Sequence, residues 1–172
     1  MSEKKFIDIE KLIESKNPRL LRLLPSFIVS YLKRILHEKE INDFLAIHHE
    51  KKNQEFCDAV MKYFNIDVQI HGIENIPKSG PVILAMNHPL GGMDGIAFIS
   101  SIGAYRKDIK FIVNDILMNL ENLADLFVGV NKHGKNKISV RKQINNAFSS
   151  DHALCIFPAG LVSRKIKGEI TD

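Results

Sequence analysis

Hydrophobic positions change their spacing near residue 65. Before it, apolar residues recur three and four positions apart, which predicts amphipathic helices over residues 6–64. Pro25 is expected to end a short helix, with a longer one starting near Ser26. A further helix is predicted from residue 41 to residue 63, and the polar stretch 48–53 is its weakest point.

From residue 66 onward, short apolar runs rich in β-branched residues alternate with helical stretches. The predicted strands are IDVQIHG, PVILAMNHP, DIKFIVND, LFVGVN and ALCIFPAG, and the predicted helices are 95–105, 115–126 and 136–149. This alternation predicts an α/β fold with a mainly parallel sheet flanked by helices. We therefore expect an N-terminal helical extension over residues 1–65 and an α/β domain over residues 66–172.

Composition places the chain among globular proteins. Of its 172 residues, 45% are hydrophobic and 26% are charged, and its net charge is +4. This mild positive charge suits anionic lipid or an acidic partner and does not call for nucleic acid. The two cysteines, Cys57 and Cys155, have neither metal-binding nor disulfide spacing, which favours a reducing compartment. Without a signal-peptide core or an apolar run of about 18 residues, we expect a cytoplasmic protein.

The turn after the second predicted strand contains candidate catalytic residues. In the sequence NHPLGGMDG, His88 ends the strand and Asp94 follows after the glycine pair Gly91 and Gly92. Ligand sites in open α/β sheets form at the carboxyl ends of strands. An imidazole can take a proton from an attacking alcohol, and a carboxylate on its other nitrogen fixes the tautomer. Because no Ser or Cys nucleophile is adjacent, direct transfer to a substrate hydroxyl is favoured.

Other interpretations of this turn remain open. Asp94 is also a suitable N-cap for a helix that begins near Gly95, and His88 could simply hydrogen-bond within the turn. Metal ligation is disfavoured because no third ligand has suitable spacing. The spacing alone does not decide between a structural and a catalytic pair.

Two later segments place cations in turns. Residues 131–142 contain five Lys and Arg residues and no acid, and residues 154–165 read LCIFPAGLVSRK. Glycine in the second turn exposes backbone N–H groups, which suits a phosphate or another anion. A solvated loop is the alternative for the first segment, and a structural turn is the alternative for the second.

These blocks resemble the glycerolipid acyltransferase superfamily, which includes the 1-acylglycerol-3-phosphate acyltransferases. The sequence AMNHP through DG resembles the first motif of that superfamily, and NHPLGGMDG is most similar to the hemolysin-like branch that makes ornithine or glycine lipids. The resemblance implies an α/β domain in which His88 is the general base and Asp94 orients it. The superfamily usually has four residues between them, whereas this chain has five. Gly91 and Gly92 are expected to absorb the extra residue.

The resemblance also implies substrate contacts. Lys132 takes the position of a basic residue that helps hold the acceptor's polar head. The third block of the superfamily is usually Phe-Pro-Glu-Gly followed by Thr-Arg-Ser. Here Ala159 and residues 161–162 replace its Glu, Thr and Arg, which weakens the case for a glycerophosphate acceptor. The implied substrate-binding residues are Asn87, Gly91, Gly92, Lys132, Phe157, Pro158, Gly160, Ser163 and Arg164.

The resemblance therefore implies an O-acyltransferase without metal or cofactor, which moves a fatty acyl group from acyl carrier protein or acyl-CoA to a lyso-aminolipid or lysophospholipid. The amphipathic stretch 18–36 is expected to contact the inner face of the cytoplasmic membrane, or to pack on the protein's own core. The C-terminal part of the family domain is expected to be missing. A non-catalytic lipid-binding protein, consistent with Ala159, and a hydrolase that uses water as acceptor are the alternatives.

Overall fold

A computed structural model describes residues 5–114, 117–118, 120–130, 138–160, 164–166 and 169–171. The chain divides into two compact units, residues 1–49 and 50–172. The helices are α1 Ile9–Lys16, α2 Pro18–Leu23, α3 Ser26–Ile35, α4 Glu38–His48, α5 Asn53–Tyr63, α6 Gly92–Ile102 and α7 Ile138–Phe148. The strands are β1 Val82–Ala85, β2 Ile109–Asn114, β3 Phe127–Val130, β4 Ala153–Ile156, β5 Arg164–Ile166 and β6 Glu169–Thr171.

The first unit is helical, as its apolar spacing predicts. Pro25 separates α2 from α3 and lies at the N-cap of α3, which confirms the predicted break. The long helix predicted from residue 41 to residue 63 is interrupted between α4 and α5, within the polar stretch predicted to be weak. In the described part of the chain, no helix combines the length and apolarity needed to cross a bilayer.

The second unit contains a four-stranded parallel sheet with the strand order β1-β4-β2-β3. Its interior includes Ile99 of α6, Phe111 of β2, and Leu154 and Cys155 of β4, all of them fully buried. The α/β fold with a mainly parallel sheet is therefore confirmed. Strand β4 lies between β1 and β2, so the carboxyl ends of β1 and β4 are adjacent at one edge of the sheet. Strands β5 and β6 form a separate antiparallel pair.

Two predicted elements are wrong. Residues 66–72 form no strand and have no sheet partner; Val68 and Ile70 instead line a groove beside α6. The described residues of 115–126 form turns and a 3₁₀-helix, Ala124–Leu126, in place of an α-helix. Here tertiary contacts override helix propensity: the buried Asn122 donates to the carbonyl of Lys51 and accepts from the N–H of Asn53.

Helix α5 belongs with the sheet. Gln54 donates to the carbonyl of Ser100 on α6, and the Ser100 hydroxyl donates to Asp58. The division at residue 65, based on sequence, places α5 in the N-terminal extension, whereas the contacts place it in the second unit. The reason is that the apolar face of α5 packs against α6.

Candidate active site

Two adjacent strand ends bring His88 and Phe157 together. The Met86 N–H donates to the Ile156 carbonyl at 3.0 Å, which extends the pairing of β1 with β4 beyond the last strand residues. The rings of His88 and Phe157 then stack, with centroids 4.2 Å apart and planes inclined by 27°. Phe157 in turn contacts Phe111 in the sheet interior. The imidazole therefore lies against a ring that is itself anchored in the core.

His88 and Asp94 lie within hydrogen-bonding distance. The His88 Nδ1 is 3.1 Å from the Asp94 Oδ2, and this oxygen also accepts from the Leu90 N–H at 2.9 Å. The two side chains are 19% and 15% exposed. A carboxylate partner assigns the ring proton to Nδ1, which leaves Nε2 as the acceptor. None of the described residues gives Nε2 a hydrogen-bond partner.

A glycine turn closes the loop between the two side chains. Gly91 has φ 70° and ψ −136°, a conformation that residues with a side chain rarely adopt. Helix α6 begins at Gly92, earlier than the expected start near Gly95. Asp94 therefore lies within the first helical turn and is not the N-cap. The positive end of the helix dipole stabilises its carboxylate.

An apolar groove of about 410 Å³ leads away from the pair along α6. Its α6 side is formed by positions three and four apart, which share one helix face and span about 12 Å of the helix axis. Segment 68–73 and Ile76 form the opposite wall. The remaining lining residues are Met86, Asn87, Asp94, Ala97, Phe98, Ser101, Ile102 and Phe157. The size and apolar character of the groove suit an alkyl chain.

The other candidate residues fall into two groups. Asn87 and Phe157 line the groove, Gly91 and Gly92 form the turn beside the pair, and Pro158 and Gly160 form the turn after β4. The Gly160 N–H donates to the Phe157 carbonyl at 2.9 Å, which closes this second turn. Lys132 and Ser163 lie outside the described residues, and Arg164 is described only as the first residue of β5.

Sequence reasoning missed the groove. From sequence, Phe98, Ser101 and Ile102 belong only to a predicted helix, and most of the opposite wall belongs to a predicted strand. The three-to-four spacing from Asp94 to Ile102 was the available signal. Across the described ranges, no cluster of three His, Cys, Asp or Glu residues could hold a metal ion.

Comparisons with known proteins show which family the sequence matches. Residues 11–172 match the model of a family described as Acyltransferase. A lyso-glycine lipid O-acyltransferase of Bacteroides thetaiotaomicron is 43% identical over 167 residues, which cover 96% of this chain and 61% of that protein. One of the same name from Phocaeicola vulgatus is 41% identical over 167 residues, which cover 96% of this chain and 60% of that protein.

The chain thus spans roughly three fifths of the length of these curated relatives. No solved structure matches it. The family match covers nearly the whole chain and includes both the glycine turn and the turn after β4. The chain belongs to the Acyltransferase family.

Proposed function

We propose that this protein transfers a fatty acyl group from a thioester to the hydroxyl of a lyso-aminolipid. The observation that carries the proposal is the His88–Asp94 hydrogen bond, which lies where an apolar groove opens at the carboxyl edge of the sheet. The names of the two relatives point to a lyso-glycine lipid as acceptor. Ala159 in place of the usual glutamate favours such an acceptor over a lysophospholipid.

The chemistry follows from the two nitrogens of one ring. The Nε2 of His88 removes the proton from the acceptor hydroxyl as its oxygen attacks the thioester carbonyl. Asp94, bonded to Nδ1, stabilises the imidazolium that forms. The C–S bond then breaks, and the leaving thiolate takes the proton from Nε2. The products are an ester and a free thiol, and His88 returns to its starting state.

The glycine turn offers a site for the negative charge of the tetrahedral intermediate. The first N–H groups of a helix have no partner one turn earlier, and in α6 these are the groups of Gly92 and Met93, because the next one, that of Asp94, donates to the Gly91 carbonyl. Such preorganised donors typically lower the barrier of acyl transfer by about 3 kcal/mol each. We assign them the role of oxyanion hole, with Asn87 as the neighbouring polar side chain.

The apolar surfaces suit substrates that have long alkyl chains. We place one such chain in the groove along α6, which starts beside Asp94 and Phe157. The thiol carrier, acyl carrier protein or coenzyme A, would remain outside. This division would leave the reacting carbonyl at the groove mouth, beside Asp94 and beside Phe157, whose ring stacks on His88.

The first unit supplies a surface for peripheral membrane contact. Leu23 and Phe27 are 80% and 71% exposed, and the Arg34 guanidinium lies over the Tyr31 ring. Exposed apolar side chains next to cations bind the interface of anionic bilayers. Vesicles that contain anionic lipid should therefore sediment more of the protein than neutral vesicles, and Phe27→Ser should weaken this binding.

A labelled acyl thioester with and without a lyso-glycine lipid distinguishes the candidate functions. The proposal predicts a labelled diacylated lipid, detected by mass spectrometry, and little thioester consumption when the acceptor is absent. Free fatty acid released at the same rate with and without acceptor would indicate a hydrolase. Vesicle binding with no thioester consumption, unchanged in His88→Ala, would indicate a lipid-binding protein.

A further inference from the structure

Two side chains after α6 hold the far end of the groove wall. The Tyr105 hydroxyl donates to the Ile76 carbonyl at 3.1 Å. The Arg106 Nη1 donates to the Pro77 carbonyl at 2.5 Å, and its Nη2 donates to the Gly80 carbonyl at 2.8 Å. We call Tyr105 and Arg106 the clamp.

The wall that the clamp holds has few other attachments. Among residues 67–80, all of which the structure describes, backbone-to-backbone hydrogen bonds occur only within the turn 72–76. These bonds run from Asn75 to Gly72 and from Ile76 to Ile73. The segment belongs to no sheet. The clamp therefore supplies the hydrogen bonds that tie its second half to the rest of the unit.

The clamp is itself fixed in one geometry. The Arg106 side chain is 0% exposed, and its Nε and Nη2 each donate to an oxygen of Asp108 at 2.7 Å. The N–H groups of Tyr105 and Arg106 both donate to the carbonyl of Ile102, at 2.9 Å and 2.8 Å. A planar guanidinium with this many partners has little freedom to move.

The clamp connects the groove wall to α6 at the end away from His88. Ile73 and Ile76 of the wall line the groove together with Ile102, and Asp94 and Phe157 also line it. The hydrogen bonds that hold Ile76 and Pro77 start from Tyr105 and Arg106, three and four residues after Ile102. A long alkyl chain that enters at the catalytic end would meet these three isoleucines.

We propose that Tyr105 and Arg106 are positioning residues that fix the width of the groove for the distal part of an acyl chain, an inference that rests on the proposed function. They touch no reacting atom. Their effect is expected in the affinity for long chains and not in the protonation of the His88–Asp94 pair.

Equilibrium binding of fatty acids to the purified protein tests this role without requiring turnover. Tyr105→Phe removes one hydrogen bond and keeps the ring. Loss of such a bond should weaken binding of palmitate about 2- to 10-fold, while binding of octanoate changes less than 2-fold. Arg106→Lys keeps the cation but loses the planar fork, and it should change the ratio of the two affinities in the same direction. Tyr63→Phe, which removes a hydroxyl from a residue that does not line the groove, is the matched control.

If both affinities fall by the same factor, so that the ratio of palmitate affinity to octanoate affinity is unchanged, the proposal is overturned, since a merely structural role predicts this result. Acyl transfer is measured in parallel on the same samples. If the wild-type protein transfers acyl groups but the variants do not change the affinity ratio, the positioning role of the clamp is wrong and the proposed function stands. If the variants change the affinity ratio but the wild-type protein transfers no acyl group, the positioning role is supported and the proposed function fails.

Discussion

At each end of the parallel strands, a side chain that contains nitrogen is paired with an aspartate. The two pairs differ in whether a nitrogen of that side chain remains without a hydrogen-bond partner among the described residues. At the carboxyl edge, His88 bonds Asp94 through Nδ1 and has no described partner at Nε2. At the amino edge, Arg106 makes four hydrogen bonds, two to Asp108 and two to backbone carbonyls. The His88 and Asp94 side chains are 19% and 15% exposed, whereas the Arg106 side chain is completely buried and its partner Asp108 is 39% exposed.

We interpret this difference as the one between the proposed general-base pair, His88 and Asp94, and a structural pair, Arg106 and Asp108. A general base needs an open acceptor, access to substrate and a partner that holds it in place. A buried cation instead needs a hydrogen-bond acceptor for its donors and a nearby counter-charge, because an unsatisfied donor or an unpaired charge in the interior is costly. Breaking the first pair should therefore reduce activity with little loss of stability, and breaking the second should reduce stability.

The largest expected effect follows from Asp94→Asn. An amide can donate to Nδ1 and so favour the tautomer with its proton on Nε2, which removes the base. We expect the rate of acyl transfer to fall about 10²- to 10⁴-fold, measured with saturating acceptor. The free energy of unfolding should change by about 1 kcal/mol or less.

Asp151→Asn is the control for this variant, because Asp151 is exposed and lies before β4, outside the site. It should retain full activity. An Asp94→Asn protein with more than half of the wild-type rate would show that the carboxylate does not support His88.

The next effect in size is the loss of stability in Asp108→Asn. This change leaves the buried Arg106 cation without a counter-charge. We expect the free energy of unfolding to fall by about 2 kcal/mol, less than for a fully buried pair, because the Asp108 side chain is 39% exposed to solvent. Urea denaturation followed by circular dichroism measures this change. Asp125→Asn removes an exposed carboxylate and should be nearly neutral. A loss below about 1 kcal/mol for Asp108→Asn would mean that the pair at the amino edge is not structural.

The same pair has a pH signature. The hydrogen bonds from Arg106 lower the pKa of Asp108 below its ordinary value of about 4. The stability that this carboxylate contributes is therefore complete above pH 4 or so and is lost as the pH falls through the lowered pKa. The wild-type protein should lose stability over that acidic range more steeply than Asp108→Asn.

The smallest effect concerns the turn between His88 and Asp94. At the backbone angles of Gly91, a side chain is strained, and Gly91→Ala should cost about 1–3 kcal/mol of stability. Because the turn aligns His88 with Asp94, the transfer rate should fall as well. Gly95→Ala is the matched control, since a Cβ at this helical position meets no atom within 4 Å. Equal effects of the two substitutions would show that the conformation of Gly91 is unimportant.

Much of this architecture is predictable from sequence because it depends on local pattern. The four parallel strands are short, mainly apolar runs; α7 lies within the predicted helix 136–149, and α6 overlaps the predicted helix 95–105 but begins earlier, at Gly92. His88 and Asp94 stand out because a polar pair follows a strand end with two glycines between them. Their resemblance to the first superfamily motif adds the roles of base and orienter, which remain predictions.

The remaining features depend on contacts between distant residues. The alternation of residues 66–70 is the same for a strand and for an extended groove wall, and only the position of α6 decides between them. In the sequence, Arg106 and Asp108 look like surface charges in a loop. The other groups that accept hydrogen bonds from the buried Arg106 are the backbone carbonyls of Pro77 and Gly80. Backbone carbonyls leave no signature in the sequence.

The central claim is that the Nε2 of His88 removes the proton of an acceptor hydroxyl. The most direct test is single-turnover acyl transfer from a thioester to lyso-glycine lipid by wild-type protein and by His88→Ala, with circular dichroism to show that the variant is folded. We expect a folded variant whose transfer rate is lower by at least about 10²-fold. A folded His88→Ala protein that transfers the acyl group at the wild-type rate would contradict the account.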